Sequence, residues 1–191
     1  MTGLGFPLTG STLIVGPSGA GKTRRTARAL EAWIDREGPG DAVVLEFGPE
    51  YEHGERVLGR RLRRYTDVPV DVWTGEVDAY APRAESESER ERRELARANA
   101  TAVADALANA PDLRASDAAT AVFVNDTTIG FQHPRGDIER LLAYCDAADV
   151  AVLNAFESDE LGTDDSVSVR ERRVVRRLRA WADRTVTLPD R

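Results

Sequence analysis

The sequence predicts a single α/β domain, a three-layer α/β/α sandwich with a mainly parallel sheet. Apolar runs alternate with stripes at helical spacing along nearly all of the 191 residues, so successive strands are joined by helical crossovers. The runs are continuously apolar, as in strands covered on both faces. No linker and no internal repeat interrupts them, and residues 1–191 read as one domain.

Each element follows from local pattern. Thr12 to Val15 is a β-branched run closed by Gly16, and from Lys22 the residues Ala27, Leu30, Trp33 and Ile34 recur at helical spacing until Gly38, a C-cap. Ala42 to Phe47 reads as a second buried strand. Val57, Leu58, Leu62 and Tyr65 predict a short helix, and Val68 to Trp73 a short strand that Pro69 confines to an edge or makes irregular. The charged run from Glu85 to Glu94 leads into an alanine-rich helix that ends before Pro111; its alternating signs suit a solvated face. Ala121 to Val124 is a buried-type strand running into Asn125 and Asp126. Ile138, Leu141, Leu142 and Cys145 mark a helix, Val150 to Leu153 a strand running into Asn154, Val174, Val175, Leu178 and Trp181 a last helix, and Thr185 to Leu188 a last strand.

Composition excludes several function classes. There are 26 basic and 33 acidic residues, for a net charge of −7, which argues against binding nucleic acid by bulk charge while leaving a local basic stripe open. A single cysteine, Cys145, forms no internal disulfide and reads as a small buried apolar residue; with two isolated histidines, His53 and His133, the chain offers no zinc-type cluster. No apolar run reaches bilayer length and no signal-peptide pattern opens the chain, which predicts a cytoplasmic protein without membrane contact. The basic residues are 25 arginines and one lysine, Lys22.

That lysine lies in the one motif that carries chemistry. Gly16-Pro17-Ser18-Gly19-Ala20-Gly21-Lys22-Thr23 matches G-x-x-x-x-G-K-[ST] at every fixed position, between a β-branched strand and a helix. Such a loop turns consecutive N–H groups toward phosphate oxygens at a helix N-terminus, Lys22 reaches the terminal phosphates as a compact charge, and Thr23 offers a hydroxyl to Mg²⁺. A planar guanidinium does not fit that role, which accounts for lysine at this position alone. The motif therefore predicts a nucleotide-binding P-loop (Walker A) with Mg²⁺ and ATP as ligands. A second acidic partner for Mg²⁺ is expected at the end of another core strand, as Asp126 following Ala121 to Asn125; the alternative register places Asn125 at that point.

The approach Gly5-Phe6-Pro7-Leu8-Thr9-Gly10-Ser11-Thr12-Leu13-Ile14-Val15 into this loop resembles the entry of RecA-superfamily ATPases, in particular the KaiC and Rad55-like group, and the later order of elements is similar. The resemblance is motif-specific over the first 23 residues. It implies a P-loop NTPase with a RecA-like core, a Walker B strand at Ala121 to Asp126, a water-polarising glutamate at Glu46 with Glu50 as the alternative, and a γ-phosphate-sensing role for Asn154. Asn154 reads equally well as a strand-end residue that satisfies loop backbone. The usual apolar residue before the Walker B aspartate is replaced by Asn125.

Three functions compete. The first is a Mg-dependent ATPase or ATP-driven switch in which Lys22, Glu46 and Asn154 serve hydrolysis, with a homo-oligomer or protein partner supplying an arginine. The second is a small-molecule or nucleotide kinase, with Arg60, Arg61, Arg63 and Arg64 on a lid; these also suit the solvated face of a helix. The third is a binding module that senses nucleotide without turnover, whose last helix (Arg170, Arg172, Arg173, Arg176, Arg177, Arg179) docks a phosphate backbone or an acidic partner; a solvated face balanced by Asp159 to Asp165 is the simpler account.

Overall fold

A computed structural model describes residues 4–53 and 56–189, with the side chains of 51–58 left aside. The chain runs β1 (Gly10–Gly16), α1 (Lys22–Glu37), β2 (Ala42–Glu46), β3 (Tyr51–His53), β4 (Arg56–Leu58), β5 (Trp73–Glu76), α2 (Pro82–Glu85), α3 (Glu89–Asn109), β6 (Ala121–Asn125), α4 (Ile138–Cys145), β7 (Val150–Phe156), α5 (Ser166–Trp181) and β8 (Arg184–Thr187). Six strands form one sheet in the order β5-β2-β6-β7-β1-β8, every pair parallel, and β3 and β4 form a separate antiparallel hairpin.

Period-two alternation divides the core into two layers. Leu13, Val15, Val43, Leu45, Val122, Val124 and Leu153 face α3, α4 and α5. Ile14, Val44, Phe123, Val150 and Val152 face Ala27, Leu30 and Trp33 of α1, with Leu4, Phe6 and Leu8 extending that layer. The split follows from handedness. From β1 the chain crosses toward the β2 side, whereas from β5 through β6 and β7 to β8 it moves the opposite way. Right-handed crossovers then require helices on opposite faces. The connections leaving the neighbouring strands β1 and β7 run to opposite faces, into α1 and α5, which opens a crevice at the carboxyl edge of the sheet, the usual ligand position in such sheets.

The expected helix and strand patterns recur with shifts. Gly38, at φ 89°, donates its N–H to Ile34 O and closes α1. Ser88 accepts from Glu91 N–H and caps α3, whose charges lie on the outer side. Cys145 is buried on α4, where burial pushes its thiol up. Two local expectations are overturned. Val57 and Leu58 belong to β4, not to a helix, and among the described residues of this stretch the helical geometry is one 3-10 turn at Leu62–Arg64; Leu62 enters the core with Tyr65 packed against it, anchoring this turn against the α1 layer. The strand expected over 68–73 begins instead at Trp73, because residues 69–72 turn with Val72 N–H bonded to Pro69 O. The edge position expected from Pro69 is where β5 lies, paired with β2 alone.

Candidate functional site

The Gly16–Thr23 loop leaves β1 at the carboxyl edge and enters α1. Gly19 (φ 75°) and Gly21 (φ 94°) occupy the left-handed region, which a side chain would strain. Gly21 caps α1 without a side-chain bond and the first turn holds no acid, so its free N–H groups and the helix dipole present positive potential to the loop. Lys22 is buried, and its Nζ donates to Gly16 O (2.9 Å) and Pro17 O (2.5 Å). An ammonium has three donors; two hold the loop in shape and the third has no hydrogen-bond partner among the described residues. Burial lowers the Lys22 pKa, while Asp126, Glu160 and Glu171 oppose that shift. The ammonium also lies 5.8 Å from the ring centre of Phe156, which pairs with Gly16 across β7 and β1.

Asp126 follows β6 directly and adopts a left-handed conformation (φ 53°). Its N–H is held by Asn154 Oδ1 at 3.0 Å, and its carboxylate accepts no hydrogen bond among the described residues. Burial raises its pKa, Lys22 lowers it and Glu171 raises it, so the carboxylate stands in the field of the loop lysine. The half-buried Thr23 hydroxyl likewise has no hydrogen-bond partner among the described residues. Two uncommitted oxygen donors beside a phosphate-type loop fit a hard cation such as Mg²⁺, which prefers one or two protein oxygens with phosphates and water. No cluster of three His, Cys, Asp or Glu side chains able to cage a metal occurs among the described residues.

Behind these groups runs a satisfied polar network. The register aligns Glu46 with Asn125 at the strand ends on the α1 side. Asn125 Nδ2 donates to Glu46 Oε2 (2.8 Å) and Arg60 O (2.8 Å); Asn154 Nδ2 donates to Asn125 Oδ1 (2.9 Å) and Thr26 Oγ1 (2.9 Å). Thr26 in turn donates to Lys22 O at 3.2 Å. Glu46 Oε1 accepts from Leu62 N–H at 2.6 Å. Burial raises the Glu46 pKa to about 7, against the opposing bonds from Leu62 and Asn125. The network links α1, β2, β6, β7 and the Arg60–Leu62 segment beneath the loop.

A second buried acid, Glu171 of α5, accepts from Thr128 Oγ1 (2.7 Å), Gln132 Nε2 (2.9 Å) and Arg83 Nη1 (2.6 Å). Arg83 lies over Phe156 at 5.4 Å, so the same ring borders both Lys22 and Arg83. Beside it opens a cleft of about 540 Å³ lined by Arg83, Phe156, Ser168, Glu171, Arg172 and Arg176, among others.

The structure therefore brings Lys22, Asp126 and the loop together, with Asn125 in the supporting network and Asp126 carrying the outward carboxylate. Glu46 and Asn154 are fully buried in that network. Glu50 is tied to Arg63 and Arg64. Arg61 pairs with Glu76, and Arg63 with Glu76 at 2.9 Å, so these arginines bind the 3-10 turn to β5. On α5, Arg177 forms a bidentate pair with Glu139 (2.7 and 2.7 Å), Arg179 pairs with Glu157 and Arg172 with Asp159. His133 lies among Arg93, Arg97, Arg135 and Arg170, which with burial lower its pKa. His53 falls among the residues whose side chains are not described. Sequence reasoning missed Glu171, although it occupies the apolar stripe Val167, Val174, Val175, Leu178 of α5, a signal that it is buried and paired. Arg83 carried no such signal. Among the described residues no helix is long and apolar enough to cross a membrane. No family model, curated protein or solved structure matches the chain.

Proposed function

We propose that the chain binds ATP with Mg²⁺ on the Gly16–Thr23 loop and acts as an ATP hydrolase or ATP-driven switch, a P-loop NTPase of RecA/KaiC-like type. One observation carries the reading. A glycine loop at a helix N-terminus holds the chain's only lysine with one donor to spare, facing an uncommitted aspartate. The loop N–H groups and Lys22 bind and orient the phosphates. Thr23 and Asp126 would hold Mg²⁺, which on binding would neutralise phosphate charge. Asn154 fixes the backbone of Asp126 and, through Thr26, the first turn of α1, so it positions both sides of the site. Glu46, with a pKa of about 7, is poised to take a proton from an attacking water once one of its two hydrogen bonds opens. An arginine from a second copy or a protein partner supplies the remaining positive charge.

Isothermal titration with ATP and Mg²⁺ tests the binding, and phosphate release tests the turnover. Lys22→Ala is expected to lose binding, and Glu46→Gln to bind normally while losing hydrolysis. If Glu46→Gln hydrolyses ATP at the wild-type rate, Glu46 is not the base; if wild type binds but turns nothing over at high protein concentration and with candidate partners added, the chain is a nucleotide-sensing module. A kinase reading would use the cleft beside Phe156 as its acceptor pocket, where Arg176 lies beside Arg83 and Arg172, which are paired with Glu171 and Asp159. ADP formation that rises only on adding a metabolite library would support it over hydrolysis.

A further inference from the structure

The segment after β7 reads Glu157-Ser158-Asp159-Glu160-Leu161-Gly162-Thr163-Asp164-Asp165, with five carboxylates in nine residues. Its placement is specific. Glu160 Oε1 accepts the backbone N–H of Ser18, in the middle of the glycine loop, at 2.7 Å. Glu160 is also among the acids that act on Lys22. The carboxylate thus takes up a loop N–H and faces the loop ammonium, the two groups a phosphate oxygen would use. The segment is strapped down on its other side, where Arg172 reaches Asp159 (3.4 Å) and Thr163 O, and Arg179 holds Glu157. Glu160 itself is exposed, so no packing requires an acid at this position.

We propose that residues 157–165 form an autoinhibitory strap in which Glu160 occupies the phosphate cradle as an internal anion, and that a nucleotide phosphate displaces it. This rests on the phosphate-binding reading of the loop. Displacement frees Asp159 from its position opposite Arg172, so the occupancy of the loop is transmitted to the exposed face of α5. A charged acceptor on a backbone N–H is stronger than a neutral one, but solvent screens it here. Its removal is expected to tighten ADP and Mg·ATP binding roughly three- to ten-fold.

The test compares ADP and Mg·ATP titrations of wild type, Glu160→Gln, Glu160→Ala and Asp164→Asn, each with its melting curve recorded. Asp164 carries the same charge on the same strap, and among the described residues its carboxylate accepts a hydrogen bond from the Thr163 hydroxyl alone, so its variant controls for bulk charge. Tighter binding by both Glu160 variants with Asp164→Asn unchanged is the expected result, together with faster amide exchange over 157–165 when wild type is loaded with ADP. Equal affinity of wild type and the Glu160 variants, or equal tightening by Asp164→Asn, overturns the strap while leaving the loop a nucleotide site. Absence of binding by every folded protein overturns the strap and the loop reading together.

Discussion

Glu46 sits in an environment far from that of a surface carboxylate. Its pKa rises from 4.5 to about 7 because burial penalises the charged form more than Leu62 N–H and Asn125 Nδ2 stabilise it. An acid whose folded pKa is raised favours folding while protonated. Its contribution is present below pH 4.5 and is lost as pH climbs through about 7, a change of about 3 kcal/mol. Denaturant unfolding of wild type should therefore show stability falling between about pH 5 and 7.5, and Glu46→Gln should flatten that slope. A slope identical in the two proteins would place the titration elsewhere. Gly48 governs the other carboxylate. A methyl group there would collide with Asp126 Oδ2 and lie 3.2 Å from its Cβ and Cγ. Gly48→Ala should push Asp126 out of position and weaken Mg²⁺-dependent ATP binding about 10-fold, with binding in EDTA unaffected. Titrations with and without Mg²⁺ measure the difference.

At the scale of elements, α5 does more than fill the last layer. Glu171 gathers Thr128, Gln132 and Arg83, joining the turn after β6 to α2. With the Glu171 side chain 4% exposed and that of Arg83 16% exposed, deleting the acid strands a cation and two polar groups. Glu171→Ala should lower unfolding stability by about 3 kcal/mol, read as a lower denaturant midpoint at constant m. A loss below about 1 kcal/mol would show that water replaces the acid. The helices themselves were legible because their stripes are local. Ile138, Leu141, Leu142 and Cys145 are spaced by 3.6 residues wherever α4 packs. The same locality misled at Val57 and Leu58, where helical spacing runs through a hairpin strand that a separate two-stranded pairing selects. The Gly16–Thr23 loop was legible because its motif occupies eight consecutive residues. The Glu46-Asn125-Asn154 network was not, since it exists only because β6 lies between β2 and β7 with their ends in register. Glu160 and Ser18 are 142 positions apart, beyond any local pattern.

Across the whole molecule, the groups that could meet a nucleotide converge at the carboxyl edge of one sheet, from β1, α1, β6 and the segment after β7. None of them alone forms a binding surface, so ligand binding reports the assembled fold. A ligand that binds only the folded state stabilises it by mass action, about 2.7 kcal/mol when present at 100 times its Kd. For a chain of this size each kcal/mol moves the melting midpoint by about 2–4 °C, so saturating Mg·ATP should raise it by about 5–10 °C. The lysine makes the expectation sharp. Its ammonium holds Gly16 O and Pro17 O with one donor unpaired among the described residues, so Lys22→Ala loses both the loop shape and the charge, and its midpoint should not move on adding Mg·ATP. A shift of the same size in wild type and Lys22→Ala would mean that the nucleotide binds outside the Gly16–Thr23 loop, and the neighbouring cleft beside Phe156 would then be the place to seek it.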